Sequence, residues 1–180
     1  MSEIPDDVGI QRHLTSLHID YWLRNGVFHW RWWLLIILLL IFLLVWWKLT
    51  EKSRLHDTCL YALLMLIIAM GINEYGAELV LWDYPVDIIP IFPPLSSVNL
   101  ISLPLVYSLV YQFFKGRKNF IIWVLIMTAA ICFVLEPVLS LLGIYQLLKW
   151  NYLYNFVMYA LAAMLTGYAA NRARKEERNY

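Results

Sequence analysis

Hydrophobic positions in this chain are gathered into five long runs, and the short segments between them carry nearly all the charge. A helix needs about 20 mostly apolar residues to cross ~30 Å of hydrocarbon. The runs at 32–47, 58–82, 95–114, 120–142 and 152–170 predict five transmembrane helices. The first, Trp32 to Trp47, has no polar or charged side chain and ends in a Trp pair on each side. Tryptophan collects where hydrocarbon meets headgroups, so these pairs read as interfacial anchors. The predicted fold is an all-α polytopic bundle.

The arm before the first run has a different period. Pro5-Asp6-Asp7 suits a helix start, with acids at the positive end of the macrodipole. Ile10, Leu14, Leu17 and Tyr21 then recur on one face, with Arg12, Thr15, Ser16 and Asp20 elsewhere. This predicts an amphipathic helix of low net hydrophobicity. It either lies in the plane of the membrane interface or packs on the end of the bundle. The first run is expected to stay in the mature protein rather than act as a cleaved leader: 31 mixed residues precede it, and Val45-Trp46-Trp47-Lys48 offers no small-x-small cleavage site.

Composition confirms the class. The 180 residues are 62% hydrophobic and 15% charged, against roughly 45–50% and 25% for soluble proteins, and mean hydropathy is +0.62. Fourteen Lys and Arg nearly cancel thirteen Asp and Glu, which excludes a nucleic-acid binder as well as a soluble or disordered chain. Cys59 and Cys132 lie inside apolar runs, so a disulfide scaffold is excluded too. No repeat or low-complexity linker divides the chain. It reads as an extracytoplasmic segment 1–29, a five-helix domain 30–170 and a basic cytoplasmic tail 171–180.

Lys and Arg set orientation. Lys48, Lys52, Arg54, Lys115, Arg117, Lys118 and the tail's Arg172, Arg174, Lys175 and Arg178 fall on one side of a five-span layout. Arg12, Arg24, Arg31 and Lys149 fall on the other. The expected topology has the N-terminus outside and the C-terminus in the cytoplasm of a plasma membrane.

Carboxylates within the runs need a reason, since each costs ~2.5–3.5 kcal/mol at mid-membrane on insertion scales. The second run holds Asn73, Glu74 and Glu78, and the fourth holds Glu136. At 1.5 Å per residue, Glu74, Glu78 and Glu136 are expected about 12, 6 and 9 Å below the outer interface. Gly71, Glu74, Tyr75, Glu78 and Trp82 share one predicted helix face, and Asn99 and Asn155 enter the same layer. Two readings stand. The acids are held protonated by burial and by one another, in a cluster that only fixes helix register, or they line a pocket for a proton, cation or cationic small molecule.

The segment 82–94 carries Asp83 and Asp87, no basic residue and the prolines Pro85, Pro90, Pro93 and Pro94. It is either a rigid connector or a lid that makes the outer mouth acidic. Pro104 and Pro137 predict kinks, the second freeing a carbonyl beside Glu136 or simply curving the helix. Ala163 and Gly167 form a small-xxx-small face for close approach within the chain or in a homo-oligomer.

Absences narrow the chemistry. His13, His18, His29 and His56 all lie outside the runs, with no metal-binding spacing. No nucleophile elbow, phosphate loop or dinucleotide fingerprint occurs, and no cofactor or metal is implied.

Several short patterns resemble an uncharacterised family of small multi-pass membrane proteins of spore-forming Gram-positive bacteria. They are Trp82-x-Tyr84-Pro85 followed by Pro90 and Pro93, Leu103-Pro104 with Gln112, Phe133-x-x-Glu136-Pro137, and Tyr145 with Trp150. The similarity spans roughly residues 30–170. It implies a five-span layout and a plasma-membrane location, and it brings no activity.

Three functions follow from these residues. The first is a non-enzymatic binding or transport-related protein with an outward-facing acidic site, drawing on Glu74, Glu78, Glu136, Asn99, Asn155, Tyr75, Trp82, Asp83 and Asp87. The second is an accessory protein that recruits partners within the bilayer. The third is an enzyme acting on a lipid or isoprenoid through its carboxylates, with Tyr75, Trp82, Tyr84 and Tyr159 stabilising developing positive charge.

Overall fold

The structure, a computed structural model, describes residues 6–89, 98–114 and 116–177. Apart from one short ribbon, the regular structure is helical. In chain order α1 is Asp6–Tyr21, α2 Trp30–Leu49, α3 Leu55–Glu78, α4 Val98–Phe113, α5 Arg117–Ala130, α6 Glu136–Leu141 and α7 Tyr152–Glu177. Two-residue strands β1 (Trp82–Asp83) and β2 (Gln146–Leu147) pair antiparallel, Trp82 opposite Leu147 and Asp83 opposite Gln146.

Four helical stretches are long and apolar enough to cross a membrane: Trp30–Leu49, Lys52–Glu78, Arg117–Leu141 and Tyr152–Glu176. The chain is a membrane protein on that basis. The third predicted run contributes the shorter apolar helix Ile101–Phe113, and its first residues, 95–97, lie outside the described ones.

Helix α3 is central, packing on α4 and α7, while α2 lies on α4 and α5 on α7. The main core is formed by Tyr61, Met65, Leu103, Tyr107, Val124, Cys132, Tyr159 and Ala163. Polar side chains pin the helices together, as they must where the surroundings are hydrocarbon rather than water. The Tyr61 hydroxyl donates to the Ala163 carbonyl at 2.8 Å, Tyr107 and Thr128 share a bond of 2.7 Å, and Trp46 Nε1 donates to Ser108 at 2.8 Å. Ala163 and Gly167 both face inward, so the close approach that small residues permit is made within the chain, to α3 and α5.

Two helix boundaries differ from the hydropathy reading. Leu79-Val80-Leu81-Trp82 would extend α3, but the helix stops at Glu78 and Val80 turns left-handed at φ 53°. Trp82 then folds back over Gly76, where an added Cβ would lie 1.9 Å from the indole ring. Glu78 therefore stands at the helix end rather than a turn below it, and Trp82 is not on the face of Glu74 and Glu78. In the fourth run the helix widens into a π-turn over Ile131–Leu135, immediately before Glu136-Pro137. Proline at 137 lacks an N–H and crowds the carbonyl four residues back; the wider turn accommodates that ring. Pro104 sits within α4, which continues through it.

Helix α1 has no buried residue. Its Ile10, Leu14, Leu17 and Tyr21 are exposed, so it is not packed on the bundle.

Candidate functional site

The end of the molecule that carries the arm is closed by a cap of two loop segments, 81–89 and 142–151. The β1–β2 ribbon joins them, and the amides of Leu148 and Lys149 both donate to the Leu81 carbonyl, at 2.9 and 3.0 Å. The arm and the start of α2 hold the first segment down: Trp22 Nε1 donates to the Asp87 carbonyl at 2.8 Å and Trp32 Nε1, on α2, to that of Ile88 at 3.2 Å. Trp82, Val86, Ile144 and Tyr145 of the cap form a second apolar cluster with Leu35 and Leu139 of the helices. The described part of the predicted lid therefore does pack down, while Pro90, Pro93 and Pro94 lie outside the described residues.

Glu136, on the first turn of α6, sits under this cap with none of its surface exposed. Asn155, on the first turn of α7 and equally buried, donates Nδ2 to Glu136 Oε2 at 2.8 Å and to the Tyr145 hydroxyl at 3.0 Å. Its Oδ1 accepts from Trp150 Nε1 at 2.8 Å. One amide thus connects the buried acid to two cap residues and to α7. The tyrosine hydroxyls of Tyr107, Tyr145 and Tyr159 lie within electrostatic range of the carboxyl. Tyr145 stands in the cap, outside the spanning helices. Burial first, and the Glu136 carboxyl second, push its phenol far above the ordinary tyrosine range, so it stays a neutral group.

The other predicted site residues are distributed differently. Asn73 is buried, fixed by its own bond to the Ala69 carbonyl at 3.0 Å, and accepts from the Tyr84 hydroxyl at 2.9 Å. Tyr84 stacks obliquely on Tyr145 with ring centroids 5.3 Å apart, which carries the same network to α3. The packed face of α3 at this level is thus Ala69, Asn73 and Gly76. Glu74 is half-buried, Tyr75 is 73% exposed, and Glu78 is exposed. Trp82 is buried under the cap against Trp150, centroids 5.9 Å apart. Asp83 is exposed on the ribbon and Asp87 is half-buried below the arm. Asn99 lies on the first turn of α4, and its side chain is outside the described residues.

Among the described residues, no three His, Cys, Asp or Glu side chains come together as metal ligands. Glu74 and Glu78 do not join Glu136 in one cluster, because the helix face that packs inward is turned away from both. The four histidines are exposed.

Sequence reasoning did not single out the cap residues Tyr145 and Trp150 as partners of Asn155. Gln112, met there only within the family pattern and given no role, is buried at the opposite end of the bundle. Its Oε1 accepts from the Glu51 amide and from Thr58 Oγ1, both at 3.1 Å, and its Nε2 donates to the Leu49 carbonyl at 2.9 Å.

No family model, curated protein or solved structure matches this chain.

Proposed function

We propose that this is a non-enzymatic multi-pass protein of the plasma membrane that takes up a proton or a small cationic ligand at Glu136, beneath the cap. The Lys and Arg distribution supports an arm outside and a tail in the cytoplasm, so the capped end that covers the site faces outward. The exposed apolar residues of α1 support an arm helix lying in the interface. The resemblance to the small membrane-protein family agrees with this location and adds nothing on activity.

The observation that carries the reading is the connection from Glu136 through Asn155 to Tyr145 and Trp150. An ionisable group at membrane depth is a functional site by default, and here its state is transmitted directly to the element that covers it. A proton or cation at Glu136 changes what Asn155 must satisfy, and with it how firmly the cap is held. The network needs no second carboxylate, so Glu74 and Glu78 serve only as an acidic rim.

The test is thermal unfolding of the detergent-purified chain between about pH 5 and pH 8, with and without choline or spermidine. The midpoint of the wild type is expected to move with pH or with the added cation. Glu136→Gln abolishes that movement, and Glu74→Gln with Glu78→Gln leaves it. A wild type whose midpoint is flat under every condition leaves Glu136 as a structural pin and overturns the reading.

A further inference from the structure

At the opposite end of the bundle, where α7 leaves the helices, lies a cavity of about 580 Å³ between α4, α5 and α7. It shares no residue with the Glu136 network. Its mouth carries four cations from three parts of the chain: Arg54 from the α2–α3 turn, Arg117 from the first turn of α5, and Arg174 and Lys175 from the end of α7. Arg174 is partly neutralised by Asp57 at 3.3 Å, and Arg54 donates to the Gln112 carbonyl. Arg117 and Lys175 are exposed and form no ion pair among the described residues. The mouth is therefore strongly positive.

The wall is of the other kind. Phe120, Ile121 and Met164 line it below the cations, and Phe120 lies on Gly167 so closely that a Cβ there would come within 2.8 Å of the ring. Both flanking helices change character at one level. Apolar residues follow Arg117, Lys118 and Asn119 along α5, and Asn171, Arg172, Arg174 and Lys175 follow the apolar stretch of α7. That level is where a span meets the headgroups.

We propose that this cavity binds an anionic phospholipid, its phosphate among Arg54, Arg117, Arg174 and Lys175 and an acyl chain along Phe120, Ile121 and Met164. A phosphate diester presents oxygens that guanidinium groups bind in pairs. Basic pockets between membrane helices recognise anionic headgroups on this basis. A free phosphate would leave the apolar wall unfilled, and a zwitterionic lipid would bring its own cation to a positive mouth. The phospholipid alone matches both halves.

The experiment uses the full chain in neutral detergent, with thermal unfolding followed on adding phosphatidylglycerol, phosphatidylcholine or inorganic phosphate. Phosphatidylglycerol is expected to raise the midpoint by roughly 5 °C, the shift that ligand well above its dissociation constant gives. Phosphatidylcholine and inorganic phosphate should give little. Arg117→Gln with Lys175→Gln, both on exposed side chains, should remove most of the shift. Arg12→Gln with Arg24→Gln on the arm should keep it. The proposal is overturned if phosphatidylcholine stabilises as well, if inorganic phosphate alone reproduces the shift, or if the two double variants behave alike.

Discussion

Asn155 lies between Glu136 and Tyr145 and divides its amide between them, 2.8 Å from the carboxylate oxygen and 3.0 Å from the hydroxyl. With Trp150 donating to its carbonyl oxygen, it makes three bonds in three directions. Hydrogen bonds between membrane helices are worth about 0.6 kcal/mol on average and rarely above 1.7. Asn155→Leu loses all three bonds in a buried site, so a destabilisation of about 2–3 kcal/mol is expected. Denaturation in mixed detergent measures it. Asn155→Asp keeps the shape and the Trp150 acceptor but sets a carboxyl against Glu136, and its stability should fall as pH rises. A flat pH response for Asn155→Asp would show that the two side chains are not in contact.

Gly76 is the point at which the cap meets α3. A methyl there would occupy the position of the Trp82 ring, and Trp82 is buried, so it must be expelled or the helix must shift. Overpacking of this kind costs typically 1–3 kcal/mol. Gly76→Ala should lower the unfolding midpoint and shift tryptophan emission to the red. Adding Trp82→Leu should recover part of the loss. Additive losses in the double variant would mean that the two positions do not touch.

Tyr61 supplies the bond that ties α3 to α7 through the Ala163 carbonyl, and its ring stacks on Tyr111 with centroids 4.8 Å apart. Tyr61→Phe keeps the stacking and removes only the hydroxyl, at an expected cost of about 1 kcal/mol. Tyr61→Ala also opens a cavity in the core and should cost about 3–5 kcal/mol. Equal losses in the two variants would show that the ring contributes nothing.

The helical architecture was legible because composition dominates it. An apolar run such as 32–47 leaves few alternatives in lipid, since the backbone must satisfy itself. The ends of the runs were less legible. Nothing in Leu79-Val80-Leu81-Trp82 marks a stop; α3 ends there because Trp82 finds a cleft over Gly76, which is a tertiary event. The face of α3 was misjudged for a related reason. Glu74 and Glu78 attract attention as charges, yet the neighbouring positions 73 and 76 are the ones that pack. Asn155 was visible as a polar residue in the right layer, but its bonds to Glu136, Tyr145 and Trp150 cross between elements that no local pattern connects.

Gln112 gives the last prediction, since its role rests entirely on contacts more than 50 residues away in sequence. It fastens the α2–α3 turn by meeting backbone groups that the helix ends leave open, the Leu49 carbonyl and the Glu51 amide. Thr58 adds a bond to the same oxygen from the first turn of α3. Gln112→Leu matches the volume but orphans both backbone groups, and a loss of about 2–3 kcal/mol is expected. Thr58→Val removes one of these bonds and should cost nearer 1 kcal/mol. Because the turn contains Lys52 and Arg54, its loosening is directly readable by limited trypsin digestion of the folded protein. Gln112→Leu should cleave there much faster than the wild type, with Thr58→Val between the two. Equal cleavage rates in all three proteins would mean that the turn holds without the glutamine.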